Sequence, residues 1–145
     1  MTRPKWGLFA VGWLVVLAGS AMASVVQTWG GVELRDVRFE TKDGTRLAAL
    51  LYVPPGAAPE TPAPAVLAVH GYINSRETQS GFAIELARRG YVVLALDQTG
   101  HGFSGGRATT EGFGGPAGLA YLRSLPFVDT LNIGLEGHSL SLIHI

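Results

Sequence analysis

The sequence predicts an α/β fold with a mainly parallel sheet, and three observations predict it. Short, largely apolar runs recur at residues 65–69, 91–96 and 132–135, each suited to a strand buried on both faces. Between these runs lie stretches with helical spacing and helix-end punctuation. Ahead of them, residues 32–41 and 45–53 read as two strands joined by a turn. A hairpin followed by strand, helix, strand, helix and strand is the element order of a layered α/β domain.

The elements follow in order. Arg3 and Lys5 precede residues 6–32, which carry no charge, and the strongest apolar part is LFAVGWLVVLA at 8–18. Ala21-Met22-Ala23 supplies an Ala-x-Ala site, as a cleaved signal peptide requires. Counted from Trp6 to Val26, the same stretch is long enough to cross a hydrocarbon core of about 30 Å as a helix. The expectation is a signal anchor or signal peptide and linker over residues 1–31, with the uncleaved anchor favoured. Both readings keep the basic end in the cytoplasm and send the rest outward. The protein is therefore expected at the cell membrane, or secreted or periplasmic after cleavage.

Residues 32–41 (VELRDVRFET) alternate roughly between apolar and polar, as a half-buried strand does. Asp43-Gly44 marks a turn, and residues 45–53 (TRLAALLYV) return. Residues 54–64 hold five prolines and read as an exposed loop. The run AVLAV at 65–69 ends at His70-Gly71. A helix is then expected, with Asn74 as N-cap and Glu77 three places later in a capping-box-like start. Phe82, Ala83, Leu86 and Ala87 share one face, Arg88 and Arg89 occupy the last turn, and Gly90 ends it. Residues 91–96 (YVVLAL) form the next strand, closed by Asp97. Residues 98–115 are rich in glycine and read as a loop. Pro116 suits the first turn of a helix carrying Leu119, Leu122 and Leu125. Residues 132–135 lead into Gly137-His138-Ser139.

Bulk properties narrow the partners. The length of 145 residues suits one domain at most. Eleven basic and eleven acidic residues cancel, which leaves no electrostatic case for a nucleic-acid or anionic-membrane partner. The chain has no cysteine, so disulfides, a thiol nucleophile and cysteine-based zinc sites are excluded.

The chemistry lies at the ends of the buried strands. A hydrophobic strand running into Gly-x-Ser is the first half of a nucleophile elbow, in which a tight strand-to-helix turn exposes the serine hydroxyl. Ser139 is the candidate nucleophile. A serine that merely caps the following helix is the competing reading. Three motifs agree in order and spacing: His70-Gly71-Tyr72, then Asp97-Gln98-Thr99-Gly100-His101-Gly102-Phe103-Ser104, then Gly137-His138-Ser139. With them, residues 32–139 resemble the N-terminal half of an α/β-hydrolase-fold serine hydrolase.

The resemblance implies an α/β-hydrolase fold, here with an N-terminal hairpin and incomplete after the elbow. It also implies an ester or amide substrate cleaved through an acyl-enzyme on Ser139, with carboxylesterase first and peptidase or acyltransferase next. His70-Gly71-Tyr72 is similar to the family's oxyanion-hole segment, so the amides of Tyr72 and Leu140 are the implied donors to a developing oxyanion. The family's chain order of serine, acid, histidine puts both partners of Ser139 beyond residue 145, so the segment as it stands is expected to be inactive. Asp97 and His101 are then read as ordering the glycine-rich loop, and the His70 side chain as hydrogen-bonded to nearby loops. No cofactor is implied, and the partner is a small-molecule ester or amide.

The family pattern has a small residue, usually glycine, where this chain has Ser141. Residues 140–145 (LSLIHI) back-translate as CTG-TCT-CTT-ATA-CAC-ATC, the end of a transposon-based sequencing adapter, and are expected to be a non-native tail. Two readings of other classes stay open. One gathers His70, Asp97, His101 and His138 into a zinc site. The other is a non-catalytic envelope protein that uses the fold to bind.

Overall fold

The computed structural model describes residues 6–28, 31–108 and 113–139. Helix α1 (Trp6–Thr28) comes first. Its stretch Trp6–Val26, with a mean hydropathy of 2.1, is long and apolar enough to cross a membrane. An apolar helix near the N-terminus is compatible with a signal anchor or a membrane span.

Strands β1 (Glu33–Glu40) and β2 (Arg46–Val53) form the expected hairpin, antiparallel from Glu33 opposite Val53 to Glu40 opposite Arg46. Gly44 takes φ +81 in the connecting turn, where its amide bonds the Thr41 carbonyl at 3.0 Å. Strands β3 (Ala63–Val69), β4 (Val92–Leu96) and β5 (Val128–Gly137) complete one sheet, in the order β1-β2-β4-β3-β5. β4 and β5 flank β3 and both run parallel to it, while β2 pairs antiparallel with β4.

Two strands are longer than their apolar runs. β3 begins at Ala63, so Pro64, expected in the loop, lies within the strand. Pairing with β5 jumps there from Ala63–Val128 to Ala65–Ile133, and this irregularity tolerates a residue with no amide proton. β5 begins at Val128, which pairs with Ala63, and the Asp129 carboxylate accepts from the Leu131 amide at 3.0 Å and from the Asn132 side chain at 2.7 Å. The run at 132–135 is not buried on both faces, against expectation: β5 is the edge of the described sheet and Leu135 is exposed.

The chain leaves β3 in one direction to reach β4, then returns past β3 to β5. With right-handed crossovers, this reversal puts the two connecting helices on opposite faces of the sheet. Helix α2 (Ser80–Arg88) covers one face, where Ala83 and Ala87 meet Ala68, Val93 and Ala95. Helix α3 (Gly115–Ser124) faces the other, where Leu122 joins Leu47, Leu51, Leu67, Leu94 and Leu96. A Cβ at Gly118 would lie 3.0 Å from Leu67 Cδ1, so the missing side chain lets α3 approach the sheet closely.

The start of α2 corrects the sequence reading. A 3-10 turn, Arg76–Gln79, precedes it; Ser75 is the N-cap of that turn, with no side-chain capping bond. Asn74 is not the cap, and Glu77 instead accepts the Ser75 hydroxyl at 2.6 Å. Phe82, placed on the buried face by spacing, is exposed. The end of α2 is as expected: Gly90 at φ +93 bonds the Ala87 carbonyl, and the Tyr91 amide bonds Leu86, a Schellman closure.

Candidate active site

In an open parallel sheet, ligands bind beyond the carboxyl ends of the strands where the winding direction reverses. That point here is the C-terminal edge of β3 and β5, which carries His70-Gly71-Tyr72 and His138-Ser139. The two segments touch. The His138 amide donates to the Val69 carbonyl at 3.3 Å. A Cβ at Gly71 would lie 3.2 Å from the His138 carbonyl oxygen and 3.3 Å from Ser139 Cβ. Glycine at 71 is what lets the β3 loop close onto the serine.

Ser139 is exposed and adopts φ +60. A non-glycine residue in the left-handed region costs about 1–2 kcal/mol, and such strain gathers where a turn must aim a side chain. Leu140, the second expected amide donor, lies outside the described residues.

The His70 side chain is fully buried and committed to neighbouring backbone. Its Nε2 accepts the Gln98 amide at 3.1 Å, which leaves the proton on Nδ1 to donate to the Gly71 carbonyl at 2.7 Å. Gln98 Nε2 returns a bond to the His70 carbonyl. Burial holds the imidazole below its ordinary value, with the Gly71 bond opposing, so the ring is neutral.

This has a pH consequence. Below the ordinary value of 6.5 the unfolded chain takes up a proton that folded His70 refuses, so stability present above 6.5 is lost as pH falls through it. The urea midpoint is expected to drop between about pH 7 and pH 5, above the range where carboxylates titrate. His70→Gln is expected to flatten that slope, and an unchanged slope counts against the assignment.

Asp97 holds the second loop. Its buried carboxylate accepts the Arg76 amide on Oδ1 at 2.8 Å and the Phe103 amide on Oδ2 at 3.0 Å. Ser104 donates to the Asp97 carbonyl at 2.7 Å and accepts the Ala48 amide at 2.9 Å, tying the loop to β2. His101 Nδ1 lies 3.1 Å from the Thr99 carbonyl, and its ring packs edge-on against His70 and Tyr72. Both residues order the loop, as expected for a short carboxylate at a turn and for a histidine between two glycines.

Gly102 takes φ +50, and a Cβ there would fall 2.3 Å from Asp97 Oδ1. Gly102→Ala therefore combines backbone strain with displacement of a buried carboxylate, and is expected to destabilise the fold by about 2 kcal/mol in a urea titration. A loss under about 0.5 kcal/mol would mean the loop relaxes freely.

Sequence reading missed Arg76 and Gln79, both buried. The Arg76 guanidinium forms a two-point bond to Asp36 of β1 at 2.9 and 3.1 Å. It also reaches Glu77 at 3.1 Å and lies 4.9 Å from the Phe103 ring centre. Gln79 donates to the Val69 carbonyl at 2.9 Å, bracing the end of β3. No local signal marks either residue, because the partners that account for their burial, Asp36 and Asp97 for Arg76 and Val69 for Gln79, lie ten or more residues away.

Tyr72 and Ile73 form the outward lip of the β3 loop, 63% and 80% exposed. The Asn74 amide bonds the Gly71 carbonyl at 3.3 Å across a turn in which Ile73 has φ +63. The third position of such a turn normally calls for glycine, and a β-branched residue there is a clear outlier.

Among the described residues, no group of three histidine, aspartate or glutamate side chains is arranged to hold a metal. Both ring nitrogens of His70 and both carboxylate oxygens of Asp97 are engaged with backbone partners, which speaks against a zinc site built on them.

The sheet order, the crossovers and the strand-end loops define a class: this chain has the α/β-hydrolase fold, of which the described residues form a part. The family model described as serine aminopeptidase, S33, matches residues 60–114. An uncharacterized protein of Mycobacterium tuberculosis is 34% identical over 111 residues, covering 73% of this chain and 37% of the relative. A hypothetical protein of Pseudomonas aeruginosa is similar in structure with a TM-score of 0.65 and 33% identity, over 72% of this chain and 34% of that one. An esterase of Pyrococcus furiosus follows with a TM-score of 0.60 and 29% identity, over 75% of this chain and 44% of that one. Est1E of Butyrivibrio proteoclasticus, solved with ferulic acid, gives a TM-score of 0.61 and 27% identity, over 71% of this chain and 42% of that one. This chain thus spans about 37% of the length of the curated relative it matches.

Proposed function

We propose that the full-length protein carrying this segment is a serine hydrolase that cleaves an ester through an acyl-enzyme on Ser139. The observation that carries this is the setting of Ser139: an exposed hydroxyl on a left-handed turn after β5, against the Gly71 backbone. Its Oγ attacks the carbonyl carbon while its proton passes to a histidine held by an acidic residue. The amides of Tyr72 and of the residue at position 140, a backbone role that does not depend on the side chain there, receive the negative charge on the carbonyl oxygen. The bond to the alcohol then breaks, the histidine returns its proton to the leaving oxygen, and water repeats the sequence to free the acid. The family's chain order assigns the acid and the histidine to positions after Ser139.

The esterase among the similar structures supports a carboxylesterase-like reaction. The serine aminopeptidase match supports amide cleavage as the second reading. In this reading residues 32–139 are the first half of the hydrolase domain, residues 140–145 are a foreign tail, and residues 1–31 anchor the domain outside the cytoplasm. Resistance of the full-length protein to carbonate extraction from membranes tests the anchor; release into the supernatant favours cleavage after Ala23. A fluorophosphonate probe tests the nucleophile: the full-length protein is expected to label, and Ser139→Ala to lose the label. A folded, unlabelled protein points to the non-catalytic envelope role.

A further inference from the structure

We propose that Ile73, with Tyr72 beside it, is a specificity-determining residue that packs the hydrocarbon chain next to the scissile carbonyl. The inference rests on the hydrolase reading of Ser139 and extends it to substrate class: esters that carry an apolar chain beside the carbonyl. Ile73 sits in a backbone conformation that glycine or asparagine adopts at far less cost, at φ +63. Its side chain is 80% exposed, so packing within the described residues does not hold it there. A strained residue whose side chain earns nothing from the core is a candidate for contact with a ligand.

Position supports that reading. Ile73 is two residues from Gly71, whose backbone lies against Ser139, and one from Tyr72, the proposed oxyanion donor. A carbonyl carbon within reach of Ser139 Oγ therefore brings its substituents toward this lip. Tyr72 is also largely exposed. No charged side chain belongs to residues 70–74, so the lip offers apolar contact rather than an ionic one.

The test uses the full-length protein and 4-nitrophenyl esters of acetate and octanoate, with ethyl and octyl acetate as a second arm. The readout is the ratio of kcat/KM for the long chain to that for the short one, which is independent of the amount of folded enzyme. Ile73→Gly and Ile73→Asn are expected to lower this ratio about tenfold, while Ile73→Leu keeps it, since a few buried methylenes discriminate by that order. Both strain-relieving variants are expected to melt at higher temperature than the parent, which separates lost contact from lost structure. Loss in the acyl arm assigns the lip to the acyl chain, and loss in the alcohol arm to the leaving group. Unchanged ratios in both arms overturn the proposal and leave the hydrolase reading intact. A wild type inactive on every ester, and unlabelled by fluorophosphonate, overturns both.

Discussion

Ser139→Ala in the full-length protein is expected to lower kcat for ester hydrolysis by at least about 10⁴-fold, with KM close to the parent value. The size follows from the chemistry. Without Oγ no acyl-enzyme forms, and only positioned amides and water remain to act on the carbonyl. The change is expected to leave the fold alone, because the Ser139 side chain faces solvent and alanine meets the same backbone cost at φ +60. Matching urea midpoints for parent and variant would confirm that the loss is chemical. A variant that keeps a tenth of the parent rate would end the case for Ser139 as nucleophile.

Arg76→Ala is expected to destabilise the fold by about 3 kcal/mol. Only 4% of the Arg76 side chain is exposed, and its Nε lies 3.5 Å from the Asp97 carboxylate, which is fully buried. Truncation leaves that carboxylate with two amides and no cation. It also removes the two-point bond to Asp36 and the guanidinium beside the Phe103 ring. Arg76→Lys is expected to recover part of the loss, since an ammonium restores charge but not the planar fork. In a cycle with Asp97→Asn the two losses should be less than additive, because the carboxylate that Arg76 compensates has already gone. Urea titrations of the four proteins measure this. A loss below about 1 kcal/mol for Arg76→Ala would show that the two amides suffice for Asp97.

The sheet was legible because its strands announce themselves locally. Alternation in 32–41 and the apolar runs at 65–69 and 91–96 located strands that the structure starts and ends within two residues of those limits. Gly90 and Pro116 act through their own backbone, so the helix boundaries they mark were also readable. The strand-end motifs likewise pointed to one edge of the sheet, where Gly71 and Ser139 meet.

What escaped was settled at long range. Asn74 and Glu77 have the spacing of a capping box, yet Asp97, twenty-one residues from Arg76, takes the Arg76 amide and pulls the helix start into a 3-10 turn. Burial of Arg76 depends on Asp36, forty residues away. The place of Pro64 inside β3 depends on a register shift opposite β5. The strain at Ile73 is a property of a turn rather than of any residue pattern.

The two oxygens of Asp97 also set a clock. One anchors the Arg76 amide and the other the Phe103 amide, so a single carboxylate guards a proton from each of two loops. Neither loop can lift away without disturbing the atom group that restrains the other. In deuterated water these two amide hydrogens should be replaced at a common rate, slower than those of the solvent-facing turns on either side. Should they exchange independently, the loops breathe separately and the carboxylate is only a passive bystander.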